Sequence, residues 1–280
     1  MARVGCAKLA AMRRTIGEAI VVRVVDYGEA DRVATLLSPE HGKVAALARG
    51  ARRSRKRHAG LELFARGEAT LREGHGELWA LEAFDVGRGF PHLALDVARV
   101  AQAAYACELA RELVAPHHAE PRAFELLAAL LERIDSGGTE GRLGPASLRV
   151  FELALLGAIG LSPSLDRCVL CGAPLDDPRV DDAGAPDPER HFDARHGGVA
   201  CERCSAGHGL GQRPLHERAR LLLLAAQRLD IATAERLLEV PAPREAWEAA
   251  REVIQALLRE HLGRPLRSVE FISKLNAAGA

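Results

Sequence analysis

Residues 19–49, "AIVVRVVDYGEADRVATLLSPEHGKVAALAR", decide how this chain begins to fold. Three short runs rich in Val, Leu and Ala, "AIVVRVV", "RVATLLS" and "KVAALAR", are divided by "DYGEAD" and "PEHG". The Asp, Gly and Pro of those dividers are turn formers, so the pattern predicts three strands joined by tight connections. Outward from there, "LELFARGEATLR" (61–72) and "ELWALEAFDV" (77–86) add two more strands, with "EGHG" between them. Five strands of this size suit a small closed barrel. The oligonucleotide/oligosaccharide-binding (OB) barrel is the common five-stranded solution and binds single strands through one outer face and its flanking loops. An SH3-like barrel fits the same strand count.

The connection from the third strand to the fourth is "RGARRSRKRH", Arg49 to His58, which holds no carboxylate although the chain as a whole has 38 basic and 38 acidic residues. The balance is therefore uneven along the chain. Residues 1–90 carry 16 basic and 11 acidic groups, and the remainder carries 22 and 27. A basic barrel is a footprint for phosphates, and the planar fork of arginine matches phosphate oxygens. Arg49, Arg52, Arg53, Arg55, Lys56 and Arg57 are the candidate nucleic-acid contacts; the plainer reading is a solvated loop. Single strands also need stacking surfaces, so Tyr27, Phe64, Trp79 and Phe84 are sorted by strand alternation. Trp79 shares parity with Glu77 and Asp85, and Phe64 with Glu62 and Arg66, which makes Phe64 and Trp79 stacking candidates. Phe84 falls with Leu78 and Val86 and is expected in the core.

Beyond residue 90 the apolar period changes from two to three and four. The segments 93–114, 123–134 and 145–160, and later 215–229, 232–240 and 244–262, predict helices. Between the two groups lie "CVLC" (Cys168, Cys171) and, 29 residues on, "CERC" (Cys201, Cys204). Two CxxC knuckles in a reducing compartment point to one tetrahedral structural zinc; disulfides or free thiols are the alternative. Such a closed shell leaves no site for water and performs no hydrolysis. His191, His196 and His208 are nearby but surplus to a shell of four thiolates, and Cys107 is expected to pack as a small apolar group. The insert between the knuckles carries seven carboxylates against three arginines, which argues against a nucleic-acid reader there.

The expected fold class is thus α+β: an N-terminal five-stranded OB-type barrel, then a mainly helical domain with an inserted zinc lobe held by four cysteines. The boundaries are 1–88 for the barrel, 89–164 and 210–280 for the two helical parts, and 165–209 for the lobe. Residues 1–14 are expected to be disordered, and Met12 is a candidate start. No run of eighteen apolar residues and no signal-peptide pattern occurs, so a cytoplasmic protein is expected, with no membrane partner. Walker loops, "GxSxG" and paired-His helices are missing from the sequence, and "HGG" at His196 lacks a nucleophile elbow, so no enzyme is expected.

Several stretches resemble the bacterial RecO family of recombination mediators and DNA repair proteins. "DYGEADRVATLLSPEHGKVAALARGARR", with Gly28, Glu29, Asp31, Arg32, Glu40, Gly42, Gly50 and Ala51, then Gly60 and "LELF", is similar to its barrel signature. "RVFELALLGAIGLSPSLDRCVLCG", "HFDARHGGVACERC" and "HLGRPLRSVEFISKL" follow in the family's order. Ala30 stands where Ser or Thr is usual, and Val269-Glu270 where a basic residue is commoner. The resemblance implies binding of single- and double-stranded DNA, strand annealing, and help to RecA on strands coated by single-strand-binding protein (SSB). Its implied partners are RecR and the SSB C-terminal tail, with nucleoid association when DNA is bound. Phosphate contacts alone do not separate DNA from RNA, so an RNA-binding or ribosome-associated factor is the second reading, and an unrecognised nuclease the third.

Overall fold

The computed structural model describes residues 13–53, 56–74, 76–137, 145–175, 189–206, 212–240 and 242–277. It divides into two compact units, one running through Gly89 together with Pro116–Ala119, the other formed by the rest. In the first unit, β1 (Arg14–Tyr27), β2 (Asp31–Ser38), β3 (Gly42–Ala48), β4 (Arg66–Arg72) and β5 (Leu78–Arg88) close into a barrel in the order β1-β2-β3-β5-β4. Closure through a short parallel pairing of β3 with β5, Ala45 opposite Leu78 to Leu47 opposite Ala80, is the Greek-key route of an OB barrel. That decides between the two barrels that the strand count allowed.

The 14-residue β1 serves two neighbours. Arg14 to Ile20 pair with β4, and Ile20 to Tyr27 pair with β2, with a register break between Val21 and Arg23. A break of this kind bends the strand, which a barrel of so few strands requires. Val21 meanwhile bonds the turn before β4: its N–H donates to the Ala65 carbonyl and its own carbonyl accepts from Phe64 N–H, both at 2.9 Å. The barrel interior mixes Ala34, Ala46 and Ala69 with Leu36, Leu71, Leu81 and Phe84, all nearly inaccessible to solvent. Mixing small residues with large ones lets a narrow barrel fill without overpacking.

Three details correct the sequence reading. The fourth strand begins at Arg66, not at residue 61, so Phe64 lies in a turn with φ +74° and strand parity does not apply to it. In β5 the register against β4 steps from Ala83 to Leu81 and skips Glu82. That bulge reverses the parity, so Trp79, Leu81 and Phe84 all face inward, while Leu78 and Val86 are exposed. At the N-terminus, Arg14 already pairs with Arg72, so the disorder expected through residue 14 does not extend to it; residues 1–12 lie outside the described residues.

The second unit is helical around α1 (Val97–Leu113), followed by α2 (Pro121–Ser136) and α3 (Pro145–Ala158). Asp96 caps α1 by accepting from Ala98 and Arg99 N–H, which separates it from the 3-10 turn Leu93–Leu95. A three-stranded sheet of β6 (Glu189–Asp193), β7 (Gly198–Ala200) and β8 (Gln212–His216), in the order β7-β6-β8, holds the Cys-rich lobe. The short α4 (Glu202–Ser205), α5 (Glu217–Ala226), α6 (Arg244–Leu262) and α7 (Arg267–Ala277) complete the unit. The helix expected at 232–240 is a 3-10 segment, Ala234–Glu239. Buried Glu108 on α1 accepts from Arg267 N–H (3.1 Å), Ser268 N–H (2.8 Å) and Ser268 Oγ (2.6 Å), tying the first turn of α7 to the central helix. Cys107 is buried in α1 as expected, and burial pushes its thiol up to about 12. No helix among the described residues is long and apolar enough to cross a membrane.

Gly67 tests the barrel closure. A Cβ there would collide with the Asp85 carbonyl oxygen and crowd the Val86 Cα, because β4 and β5 approach closely at their register shift. Gly67→Ala is expected to lower stability by about 1–3 kcal/mol in urea unfolding. An unchanged midpoint would show that the two strands separate there without cost.

Candidate nucleic-acid interface and metal centre

The basic connection leaves β3 at Ala48 and is held from both sides. Asp31 Oδ1 accepts Gly50 N–H at 2.7 Å, and Ala30 O accepts Arg52 N–H at 3.0 Å. The Arg52 guanidinium donates to the carbonyls of Gly28 and Glu29, each at 3.2 Å, and lies 3.5 Å from Asp26. Arg52 is thus committed to the β1–β2 turn. At the far end Phe84 N–H donates to Arg57 O at 2.8 Å, and Ala51, His58 and Leu61 are buried against the barrel. Arg49, Arg53, Lys56 and Arg57 present exposed side chains from this pinned frame. Arg53 comes only to 4.0 Å of Glu29, both largely exposed, which is a weak pair in water. Arg55 lies outside the described residues.

The aromatic candidates divide differently from the sequence expectation. Trp79 is 9% exposed, with His117 stacked on it at 5.0 Å and His41 edge-on at 5.3 Å. Its π-face is already covered, so it offers no platform to a base. Phe64 is half-buried in the turn that Val21 holds. Tyr27 is the aromatic residue that alternation left unassigned, and it is 61% exposed at the end of β1. Its neighbours Asp26, Gly28 and Glu29 are the groups that receive Arg52. The signal for it in the sequence was its place at a strand end, directly before a turn glycine.

The four cysteines converge. Cys168, Cys171, Cys201 and Cys204 bring their sulfurs within 4.8 Å of one another, with Cys171 and Cys201 Sγ at 3.9 Å. A tetrahedron of thiolates around one ion has edges of about 3.8 Å, so the sulfur cage is of the right size for a metal. The first knuckle is a turn in which Gly172 N–H donates to Cys168 O (2.8 Å) and Cys168 N–H to Ala173 O (2.7 Å). The second opens α4, and Cys201 N–H donates to Cys168 Sγ at 3.3 Å. For Cys168, burial opposes ionisation, but backbone N–H groups from Cys201, Cys171 and Leu170 outweigh it and bring the thiol down to about 6. Cys204 is driven the other way, up to about 12, through its hydrogen bonds with Cys201 and Cys171. Four sulfurs this close cannot all be thiolates without a cation among them.

The lobe is mounted through buried charge. Arg220 is fully buried, donating Nη1 to Leu165 O at 2.7 Å and Nε to Glu217 at 2.8 Å; Glu217 also receives Arg190 Nε at 2.6 Å. Such a network is costly to break, because each orphaned charge would remain buried. Of the two "HGG" glycines, Gly197 takes φ +69° with open space around it, while a Cβ on Gly198 would sit 2.7 Å from Ser164 O, where the lobe's sheet meets the approach to the first knuckle. His196 bonds Asp193 at 2.9 Å, and His208 lies outside the described residues.

Comparison with known proteins agrees with this arrangement. The model for the recombination protein O N terminus matches residues 12–90, and that for its C terminus matches residues 94–270. The chain belongs to the recombination protein O family. It is 44% identical over 259 residues to the DNA repair protein RecO of Anaeromyxobacter sp. (strain K), covering 91% of this chain and 94% of that one. To the DNA repair protein RecO of Myxococcus xanthus it is 37% identical over 265 residues, with 94% and 99% covered. The relative from Geobacter sulfurreducens, also a DNA repair protein RecO, is 36% identical over 264 residues, with 92% and 97% covered. Within the barrel signature, Asp31 and Gly50 form the pin just described, and Arg32 bonds Asp26 (3.1 Å), Glu62 (2.9 Å) and Leu61 O (3.2 Å).

If the sulfur cage holds a metal, elemental analysis of reduced protein is expected to find one ion per chain. A thiol-competing chelator, or Cys168→Ser, is expected to lower the melting temperature, because metal binding and folding of such a lobe are coupled. Equal stability of the stripped and loaded forms would remove the structural role.

Proposed function

We propose that this chain is a non-enzymatic recombination mediator that binds single- and double-stranded DNA without sequence choice, anneals complementary strands and helps RecA onto SSB-coated single strands. The observation that carries the reading is the basic connection pinned onto an OB barrel, with Arg49, Arg53, Lys56 and Arg57 exposed and Arg52 securing the frame. Weak phosphate contacts suit annealing, since strands must re-register while their charges are screened. Tyr27, at the adjacent turn, supplies the sequence-tolerant stacking surface. The metal is zinc, because four thiolates in a closed shell match its softness and tetrahedral preference. The protein works in the cytoplasm, at the nucleoid when DNA is bound, with RecR and the SSB tail as partners and RecA reached indirectly.

A groove of about 430 Å³ in the helical unit supports the SSB-tail assignment: Leu156, Leu161 and Leu257 are in its lining, where Arg195, His196 and His261 stand with one carboxylate, Glu260. An acidic tail that also carries apolar side chains would fit such a surface. Arg195→Glu is expected to weaken binding of a tail peptide to the full chain at low salt, while circular dichroism stays unchanged. Equal affinity for the variant would sink this assignment.

For the DNA contacts, Arg53, Arg55 and Lys56 are changed together to Ala, which leaves the Arg52 anchor intact. The slope of log affinity against log salt for single strands is expected to flatten by at most about 2 units, similarly for different sequences. Annealing of SSB-coated oligonucleotides is expected to weaken in step. A folded variant with wild-type affinity and slope would reduce the connection to a solvated loop, and tighter binding of matched RNA would favour the RNA reading.

A further inference from the structure

A cleft of about 740 Å³ lies on the barrel wall; Leu47, Leu78 and Trp79 are among its apolar lining. Four guanidiniums, from Arg14, Arg49, Arg57 and Arg72, line it together with Glu73 and Glu82. Arg14 and Arg72 are direct partners across the β1–β4 ladder, an arrangement that like charges disfavour. One carboxylate reconciles them: Glu82 is 3.0 Å from Arg14 and 3.1 Å from Arg72. Glu82 is also the residue that the β5 bulge leaves out of register, so the same irregularity that turns Trp79 inward provides the bridging carboxylate. A single negative charge between two guanidiniums leaves the wall positive, and partly apolar walls strengthen its field.

The cleft also contains His58, which is only 4% exposed. Its Nδ1 is sealed from solvent and has no hydrogen-bond partner. A proton on that nitrogen would be a buried donor without an acceptor, so the fitting tautomer carries it on Nε2. Burial first, and the charge of Arg57 second, push the His58 pKa below its ordinary value, which keeps the ring neutral near pH 7.

We propose that this cleft is a phosphate seat, in which Arg14, Arg49, Arg57 and Arg72 and the Nε2–H of His58 hold one phosphate group, with Glu82 as the internal anion that the phosphate displaces. Guanidinium forks match phosphate oxygens in pairs, and a neutral imidazole adds a donor without adding charge. Resting on the proposed nucleic-acid function, the phosphate is that of a strand, seated beside the basic connection and using two arginines, Arg14 and Arg72, that lie outside it. The alternative source of the same chemistry is a soluble pyrophosphate.

The test uses the full chain, labelled oligothymidylate and inorganic pyrophosphate. Glu82→Gln is expected to bind the oligonucleotide about threefold or more tightly, because two guanidiniums lose their competing carboxylate. The triple variant Arg14→Gln/Arg72→Gln/Glu82→Gln is expected to bind more weakly than wild type, with a salt slope flatter by about 0.7, one phosphate's worth. Both arginines are about half exposed, so circular dichroism should confirm that the fold is retained. Pyrophosphate is expected to raise the melting temperature of the wild type and of Glu82→Gln but not of the triple variant. Wild-type behaviour of both variants towards both probes would overturn the seat, as would equal competition by poly-aspartate, which would mark an unselective anion patch. If pyrophosphate discriminates as expected while no oligonucleotide binds to the intact chain, the seat stands and the nucleic-acid reading falls.

Discussion

The barrel depends on one strand being shared. β1 must satisfy β4 along its first half and β2 along its second, and five strands can do this only if it bends where the partner changes. The break at Val21 supplies the bend, and the hydrogen bonds thereby released go to the turn at Phe64 and Ala65. Both ends of β1 acquire their neighbours from that single accommodation. Its start brings Arg14 beside Arg72 and Glu82, and its end carries Tyr27 into the turn that receives the basic connection.

Charge in this unit is arranged by purpose. The acids of "DYGEAD" are largely engaged: Asp31 holds a backbone N–H of the connection, while Asp26 receives Arg32 and lies beside Arg52. Their effect is to fix the frame while Arg49, Arg53, Lys56 and Arg57 remain exposed. A loop held in this way loses less conformational entropy on binding a polyanion than a free arm would.

In the helical unit the same logic operates around buried charge. Arg220 and Glu217 fix the approach to the first knuckle, and Glu108 fixes the start of α7, each by saturating backbone groups that would otherwise be unpaired. The buried set of Tyr105, Arg149 and Glu152 links α1 to α3, and Gln255 of α6 donates to Tyr105 Oη at 3.1 Å. Burial raises the pKa of Glu152, and the neighbouring Arg149 pulls against that rise. The sulfur cage stands on this framework, and its geometry comes from turn hydrogen bonds within each knuckle.

The sequence by itself determined the five barrel strands in outline, most of the helices on either side of the lobe and the four clustered cysteines, because each of these is written in local spacing: period two, period three to four, and CxxC; the three short strands of the lobe carry no such pattern and were not foreseen. It also located the basic connection, since a run without carboxylates is visible whatever the fold. Tertiary structure decided which side of a strand faces inward wherever a bulge intervenes, and so removed Trp79 from the candidates for base stacking. It also decided that Arg52 belongs to the fold while its neighbours remain exposed, and it assembled Arg14, Arg72, Glu82 and His58 from four separate segments. Alternation is a local rule that one extra residue inverts, and the partners of a charge are set by chain closure over dozens of residues; neither can be read from neighbours in sequence.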